Sequence, residues 1–576
     1  MVTYRHNSIF EKRTAILTVF LLLCFAAVVW RLFDLQILHG QQARQLAEQQ
    51  HSIYKKLLPS RGEILLADQE NLQTSPVATN IKKYLVYAVP QDIQNAQLTA
   101  ESLASVLSLP AKDVLDKITN RDKKYVPLKK QLTDGEQQKL KDLKLSGIYL
   151  DSEETRFYPE QNLLSQVLGF VGFKGAQRAG LYGLEKYFEN DLAGKSGELH
   201  EEKDTAGAWI FGSQRDMVPA TDGTNLVLTV DKTIQFQAQS ILKDTVTKHG
   251  ADSGSIIVMN PKTGAILAMA GYPDFNPNEY GKVTDPQVFN NQTTIGNYEP
   301  GSTFKAITMA AALDAGKITP DTTYNDTFEI KVDNYVIKNA EGSARGMQTM
   351  TQALDFSLNT GAIFAENQLG NADFLKYIKS FGFGKKTGVE LPETAGGLDN
   401  LKGNITVNYY TASFGQGISV TPLQMVQAYG ALANGGKMMK PFIVQSKILP
   451  DGATVNTRPT MVGQAISEKT ANTISAMLVD VVENGFGKKA AVPGYYLAGK
   501  TGTAQVSRKD GKSGYETDDN IGSFIGYGPV ENPQFVILVR IDRPRDVQFA
   551  ESTAGPPWGQ LAQFILNYYH IPPTRK

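Results

Sequence analysis

Between Tyr298 and Leu313 the chain passes from a polar turn straight into a segment that no surface helix could carry. The phrase Tyr298-Glu299-Pro300-Gly301-Ser302-Thr303-Phe304-Lys305 is followed by Ala306, Ile307, Met309, Ala310, Ala311, Ala312 and Leu313, apolar on nearly every side. A helix without a polar face belongs inside a domain core. Pro300 and Gly301 read as a turn, which puts Ser302 in the first helical turn and Lys305 three residues on. Positions i and i+3 are neighbours at about 5–6 Å, so the lysine amine can reach the serine oxygen. Burying an ammonium is costly and depresses its pKa. A lysine depressed in this way is what a serine nucleophile needs as its base. The bland alternative is a serine N-cap with a lysine nearby.

The spacing alone does not decide between them, because Ser-x-x-Lys also occurs at Ser52 to Lys55 and at Ser240 to Lys243. Context separates the three. Ser52 lies in a polar stretch, and Lys243 belongs to an amphipathic run from Thr233 to Lys248 in which it faces water. Only Ser302 follows a Pro-Gly turn and opens a buried helix. The 576 residues predict two or more domains. Acidic and basic residues balance at 58 each, which leaves no electrostatic footprint for nucleic acid. One cysteine, Cys24, excludes internal disulfides and cysteine-based metal sites, and the six histidines show no ligand spacing. No metal or cofactor is expected.

Thr14 to Trp30 carries no charge, and Phe33, Leu35 and Ile37 continue the apolar character beyond Arg31. At 1.5 Å per residue the uncharged run is marginal for a bilayer core of about 30 Å, with Arg31 able to snorkel. The end of the run lacks a small-x-small cleavage pattern, which favours a retained anchor over a signal peptide. Arg5, Lys12 and Arg13 precede it with no matching cluster after it, so the N-terminus is expected in the cytoplasm and the remainder outside. The expected division is a cytoplasmic tail over 1–13, an anchor over 14–38, a pedestal over 39–220 and a catalytic domain over 221–576.

In the pedestal, Gln41 to Gln50 reads as a solvated helical stalk. Arg61 to Leu66 and Tyr84 to Val89 read as strands, and Ala100 to Leu107 and Ala111 to Ile118 as short helices. Gly180-Leu181-Tyr182-Gly183-Leu184-Glu185 reads as a turn and helix start with a structural role. No cluster there carries chemistry. Beyond Pro219 to Gly223 a strand over Asn225 to Val230 precedes an Asp-led helix, Asp231 to His249. Strands Ser255 to Met259 and Ala265 to Ala270 are joined by the hairpin turn Asn260 to Gly264. The end of the chain returns to strands (Tyr495 to Val506, Ser523 to Tyr527, Phe535 to Ile541) and a helix from Trp558 to Tyr569. Strands at both ends with helices between predict one α/β (α+β) domain whose sheet the C-terminal part completes.

Two further phrases can join Ser302. Ser357-Leu358-Asn359 is the one Ser-x-Asn, after the helical run Met350 to Phe356; its hydroxyl can relay a proton and its amide can bond a peptide backbone. Taken alone it reads equally as a helix end. Lys-Thr-Gly occurs at Lys262 in the hairpin turn, at Lys386 in a loop, and at Lys500-Thr501-Gly502, which continues as Thr503-Ala504-Gln505-Val506. The last is strand-like, and Gly502 leaves room for another chain beside it. Such an edge can pair with an extended peptide while Lys500, Thr501 and Thr503 offer donors to a carboxylate.

Ser-x-x-Lys, Ser-x-Asn and Lys-Thr-Gly in that order resemble the signature of penicillin-binding proteins and class A β-lactamases. The surrounding phrases resemble the class B penicillin-binding proteins. They are Asn260-Pro261-Lys262-Thr263-Gly264, Tyr298 to Lys305, Ser413-Phe414-Gly415-Gln416-Gly417, Thr421-Pro422-Leu423-Gln424, Ala433-Asn434-Gly435-Gly436 and Gly499 to Gln505 in the catalytic part. The pedestal adds Pro59-Ser60-Arg61-Gly62, Arg156-Phe157-Tyr158-Pro159 and Gly180 to Glu185. The chain departs from the family where an Asp-Arg-x-Gly turn is usual: it has Ala67-Asp68-Gln69-Glu70-Asn71. Extra C-terminal repeats and a glycosyltransferase signature are also lacking.

The resemblance implies a penicillin-binding, β-lactamase-like transpeptidase domain on a dimerisation-type pedestal with one transmembrane helix. It implies a peptidoglycan D,D-transpeptidase of the bacterial cytoplasmic membrane, with Ser302 as nucleophile, Lys305 as its base, and Ser357 as proton relay. Asn359 and Lys500 complete the site, Thr501, Gly502 and Thr503 bind substrate, and the N–H groups of Ser302 and Thr503 form the oxyanion hole. Partners implied are peptidoglycan stem peptides, β-lactams and a glycosyltransferase of the SEDS family. The Phe381-Gly382-Phe383-Gly384 and Ser413 to Gly417 phrases lean towards the division type over the elongation type. A D,D-carboxypeptidase and a β-lactam-sensing receptor share the same triad. A β-lactamase is disfavoured because no Glu-x-x-Leu-Asn lies between Ser357 and Lys500, and Glu366 is followed by Asn367-Gln368-Leu369-Gly370.

Overall fold

The computed structural model describes residues 8–39, 52–67, 74–175, 177–202, 216–340, 342–403, 405–507, 515–547 and 549–575. Arg5, the stalk expected over Gln41 to Gln50 and the departure at Asp68 to Asn71 lie outside the described residues. Two compact units divide the chain, one made of residues 1–59 with 194–222, the other of 60–193 with 223–576.

In the first unit, helix α1 (Ser8–Phe33) runs on through a wider turn, Asp34–Leu38. An 18-residue stretch within the apolar helix Glu11–Leu38 has a mean hydropathy of 2.5, with none of that stretch buried; the helix is 28 residues long. At 1.5 Å per residue this is about 42 Å, enough to cross a bilayer core. The uncharged run stops at Trp30, and the helix continues beyond it to Leu38, with Arg31 paired to Asp34 at 2.7 Å. Strands Ser52–Leu57, Gly197–Glu202 and Asp216–Val218 form a three-stranded antiparallel sheet in that order.

The second unit holds a seven-stranded sheet whose members come from far apart. Its order is Thr454–Asn456, Val444–Ile448, Asn225–Asp231, Ile64–Ala67, Thr74–Ala88 and Val126–Leu132, with Ile148–Phe157 also on Thr74–Ala88. Ile64–Ala67 pairs in parallel with Asn225–Asp231, in the register Leu226 to Ile64. Helices Ala96–Leu107 and Ala111–Ile118 appear where apolar spacing placed them, the first capped by the Asn95 side chain on the Leu98 N–H at 3.1 Å. Leu103, Leu107, Val114, Ile118 and Leu140 bury together beneath the outer strands.

Three short phrases of the pedestal sequence meet in one buried ion cluster. Glu185, fully buried at the start of helix Gly183–Tyr187, accepts from Arg61 Nε and from Arg156 Nε, each at 2.7 Å, and from the Tyr158 hydroxyl at 3.2 Å. Arg61 also reaches Glu189 at 2.7 Å. Burial alone would raise the Glu185 pKa, but the two guanidiniums more than offset it and hold the carboxyl below its ordinary value. The structural role expected for Gly180 to Glu185 is therefore an electrostatic one. The left-handed φ of Gly183, +55°, and its backbone contact with Val167 explain the glycine there.

In the catalytic part, helix α2 (Lys232–Lys248) is capped by Asp231, whose carboxylate accepts from the N–H groups of Thr233 and Ile234 at 2.9 Å. A five-stranded antiparallel sheet follows, built from β1 (Ser253–Met259), β2 (Ile266–Tyr272), β3 (Ala498–Ser507), β4 (Tyr515–Gly528) and β5 (Phe535–Asp542) in the order β2-β1-β5-β4-β3. N-terminal and C-terminal strands thus share one sheet, as their positions in the chain predict. Strand β3 starts at Ala498 instead of Tyr495, because Gly494, at φ +89°, turns the chain just before it. Strand β4 begins eight residues earlier than expected, its start being too polar to read as a strand; Glu516, Asp519 and Asn520 line a cleft.

The buried helix is α3 (Lys305–Asp314), against which α4 (Met350–Asp355), α5 (Asn359–Leu369) and α7 (Glu468–Glu483) pack, while α6 (Pro422–Ala433) packs on β1, β4 and β5. Closing helix α8 (Gly555–Tyr568) packs Trp558 against Phe524 and Phe535 on the opposite face of the sheet. Thr421 and Gln424 form a reciprocal capping box at the head of α6.

The Glu185 cluster yields a stability prediction. Replacing Glu185 by Ala leaves the buried Arg156 guanidinium without a carboxylate and Arg61 with Glu189 alone, and is expected to cost about 3–5 kcal/mol, read as a lowered denaturant midpoint. The folded carboxyl sits below its unfolded value, so this contribution is complete above the unfolded pKa of about 4.3 and is lost as pH falls through the folded one. The gap between wild type and variant must close on acidification.

Candidate active site

Gly301 takes a left-handed φ of +56° and its N–H donates to the Gly415 carbonyl at 3.0 Å. That geometry bends the chain into one tight turn, Gly301–Phe304, whose axis α3 continues. Ser302 sits in this turn, half-buried, while Thr303 is pinned by the Tyr429 hydroxyl on its carbonyl at 2.6 Å. Lys305 opens α3 and is fully buried. Its amine donates to the carbonyl and, at 3.3 Å, to the hydroxyl of Ser357. The sequence reading put the Lys305 amine on the Ser302 oxygen; its hydrogen bonds go to Ser357 instead.

Ser357 lies between α4 and α5 in a left-handed conformation, φ +54°, sparsely populated by residues other than glycine and costing about 1–3 kcal/mol. The turn is held by Ser357 N–H on Leu354 at 3.1 Å and Leu358 N–H on Ala353 at 2.9 Å. From the opposite wall Lys500, fully buried in β3, donates to the same Ser357 hydroxyl at 2.9 Å. Two amines therefore converge on one oxygen. Burial pushes Lys500 down to about 7, partly opposed by Asp355. Burial, with the charge of Lys500 added, pushes Lys305 well below the ordinary lysine value.

Asn359 begins α5; its side-chain amide donates to the Lys338 carbonyl at 2.7 Å, and its N–H is held by Asn339 at 2.8 Å. Thr501 is buried beside Lys500, and the Thr503 hydroxyl accepts from the Ala550 N–H at 3.3 Å. Strand β3 is the edge of its sheet, as expected of Lys500 to Gln505. Gly502 has a different cause from the one expected. A Cβ there would lie 2.7 Å from Thr303 Cγ2 and 3.0 Å from the Pro300 carbonyl, so the neighbour that needs the space is the Ser302 turn itself. Gly301, Ser302, Ser357, Asn359, Thr501 and Thr503 all line one cleft of about 1020 Å³.

The competing motifs are elsewhere. Lys243 is exposed on α2, Lys262 donates to Asn532 from the hairpin turn, and Lys386 is exposed. Sequence reasoning missed the aromatic wall. Phe356 and Phe486 meet edge to face at 6.3 Å along the cleft, and the Arg345 guanidinium lies 3.8 Å from the Phe356 ring. The adjacency of Phe356 to Ser357 was the available signal; Phe486 and Arg345 had none.

The family model described as the penicillin-binding protein transpeptidase domain matches residues 254–563. The chain belongs to this family. A second model, the penicillin-binding protein dimerisation domain, matches residues 56–228. Stage V sporulation protein D of Bacillus subtilis is 35% identical over 577 aligned residues, covering 99% of this chain and 88% of that protein. Penicillin-binding protein PbpB of Mycolicibacterium smegmatis is 29% identical, covering 98% and 91%. Among solved structures, penicillin-binding protein 3 of Mycobacterium tuberculosis, complexed with aztreonam, aligns at a TM-score of 0.69 and 26% identity over 90% of this chain and 99% of that one. Penicillin-binding protein 2X of Streptococcus thermophilus shares the fold at a TM-score of 0.74 and 23% identity, over 89% and 80%. This penicillin-binding protein is of class B and division type, a serine-type D,D-transpeptidase active on peptidoglycan.

The Gly301 turn yields the second prediction. An alanine at φ +56° is strained, and its Cβ would stand 2.9 Å from the Thr503 carbonyl. With Ser302 as the acylated residue that the resemblance implies, the Gly301→Ala penicillin-binding protein is expected to keep its far-ultraviolet circular dichroism and to lose acylation by a fluorescent penicillin by at least about tenfold, since misplacing a reacting group by about 1 Å costs up to a hundredfold.

Proposed function

We propose that Ser302 is the acylated serine and that the two lysines converging on Ser357 run its proton traffic. The carrying observation is that convergence: the Lys305 and Lys500 amines both donate to the Ser357 hydroxyl. Lys305, depressed by burial and by its cationic neighbour, is the base that takes the Ser302 proton. As the Ser302 Oγ–carbon bond forms and the carbon–nitrogen bond to the terminal D-alanine breaks, Ser357 passes a proton to the leaving amine. The N–H groups of Ser302 and Thr503 receive the developing oxyanion, worth about 2.7–4 kcal/mol per donor. Lys500, Thr501 and Thr503 hold the terminal carboxylate, Gly502 keeps β3 close to the serine turn, and Asn359 orients the donor peptide. An amine of a second stem peptide then attacks the ester, Ser302 regains its proton, and the crosslink forms.

The same reading extends to location and partners. Residues 1–13 are cytoplasmic, 14–38 cross the cytoplasmic membrane once, and 39–220 form a pedestal that carries the catalytic domain, 221–576, outside it. The apolar span Glu11–Leu38 supports this, with Lys12 and Arg13 at its N-terminal side. A SEDS-family glycosyltransferase supplies the glycan strands, contacting the anchor and pedestal, and the work is septal. Association is tested by co-purification of the two proteins from membranes.

The proposal predicts stoichiometric labelling by a fluorescent penicillin in the wild type and none in Ser302→Ala. Lys305→Arg, which keeps a charge that cannot be shed, is expected to fold and to acylate at least about a hundredfold more slowly. Given a D-Ala-D-Ala stem peptide and a competing D-amino acid, the wild type exchanges the terminal residue. Release of D-alanine without exchange would replace the transferase reading with a carboxypeptidase one.

A further inference from the structure

One buried carboxylate braces the Ser357 turn from both sides, and the reaction above gives it no part. Asp326 ends the strand Thr323–Asp326 and is 1% exposed. Its Oδ1 accepts from the Thr360 hydroxyl at 2.7 Å, the Asn339 side-chain amide at 2.8 Å and the Phe328 N–H at 3.2 Å. Its Oδ2 accepts from the Arg345 N–H at 2.9 Å. Burial would raise the carboxyl, but these bonds, that of Thr360 first, hold it below its ordinary value. A carboxylate only accepts, so Asn339 turns its NH2 towards Asp326 and its oxygen the other way. That oxygen meets the N–H groups of Asn359 at 2.8 Å and Thr360 at 3.2 Å. Both belong to the first turn of α5, where the N–H groups lack helical partners, and the residue before the helix, Leu358, gives no side-chain cap. Asn339 is therefore the cap of α5, brought from 20 residues away. Next to it the Lys338 carbonyl accepts from the Asn359 side chain at 2.7 Å, which fixes that amide too. On the other flank Arg345 lays its guanidinium 3.8 Å from the centre of the ring of Phe356, the residue before Ser357.

Ser357 stands between these two flanks in its left-handed conformation, which persists only where the surroundings over-determine it. We propose that Asp326 and Asn339 are positioning residues for the reaction: Asp326 orients Asn339, Asn339 caps and aims the head of α5, and Ser357 and Asn359 are thereby held in place in the cleft. Neither Asp326 nor Asn339 lines the cleft. The inference rests on the reading of Ser357 and Asn359 as working parts of the site. Its logic is one of donors and acceptors. An amide at 326 must point its NH2 either at that of Asn339, which then turns over and loses the cap, or at the Arg345 N–H, which frees the other flank. Exchanging the two residues (Asp326→Asn with Asn339→Asp) restores both. The amide at 326 then donates to the carboxylate at 339 and accepts from Arg345, while that carboxylate caps α5.

The test is the limiting acylation rate of the detergent-solubilised full chain at saturating fluorescent penicillin, expressed per labelled site. Wild type, Asp326→Asn, Asn339→Ala and the exchange variant are compared. Loss of folded protein lowers the number of labelled sites and leaves the rate per site unchanged, whereas misplacement of Ser357 and Asn359 lowers the rate itself. The rate is expected to fall by at least about tenfold in each single variant, and to return to within about threefold of wild type in the exchange variant. A smaller fall in either single variant, or an exchange variant no faster than Asp326→Asn, overturns the proposal. If Asp326→Asn fails to fold, Asn339→Ala decides on the same measurement. A Ser357→Ala or Asn359→Ala protein that acylates at the wild-type rate would instead defeat the reading on which the inference rests.

Discussion

Two ammonium groups brought to one hydroxyl in a dry cleft repel each other, and at an effective dielectric of 20 the energy is about 4 kcal/mol for charges 4 Å apart. Lys305 and Lys500 both donate to Ser357, and both are fully buried. Burial and mutual repulsion therefore act in the same direction, and at least one amine gives up its proton near neutrality. Elsewhere such an arrangement would be a defect. Here it holds both amines below the ordinary lysine value, and the remaining structure keeps them in place against their repulsion.

That holding is done largely by backbone crowding. The Ser302 turn, strand β3 and the Gly415 loop approach so closely that glycine is required at 301, 415 and 502. Each of these glycines lacks a Cβ because another main chain or a short side chain occupies its place. Ser357, by contrast, keeps its side chain in a left-handed conformation, since the hydroxyl is the point on which both amines converge. Strain is accepted at the residue on which the two amines converge and avoided, through glycine, at those that only make room.

Much of this was legible in the residues. The apolar wrap of α3, the Pro-Gly turn before it, the hairpin at Asn260 to Gly264 and the return of strands at the C-terminus are local patterns, and local patterns survive folding. The cleft itself follows from three phrases whose order and context single them out. Partner choice over long distances was not legible. Nothing in Gly180 to Glu185 announces that its acid will face Arg61 and Arg156, and nothing near Lys305 says that its amine will prefer Ser357 to the serine three residues away. Strand β4 was cut short because the rim of a cleft is polar, which is also the signature of a loop. In each case a contact made in three dimensions outweighed the preference readable along the chain.

The seven-stranded sheet of the second unit interleaves segments from residues 64, 225 and 444, so its central strands are synthesised hundreds of residues apart. Loop closure over such separations is slow and comes before the contacts that repay it. The strand at Ile64–Ala67 emerges early and must wait, one edge uncovered, until Asn225–Asp231 arrives; that strand in turn waits for Val444–Ile448. Because Val444–Ile448 and Thr454–Asn456 are synthesised after most of the catalytic part, the seven-stranded sheet cannot be complete before then.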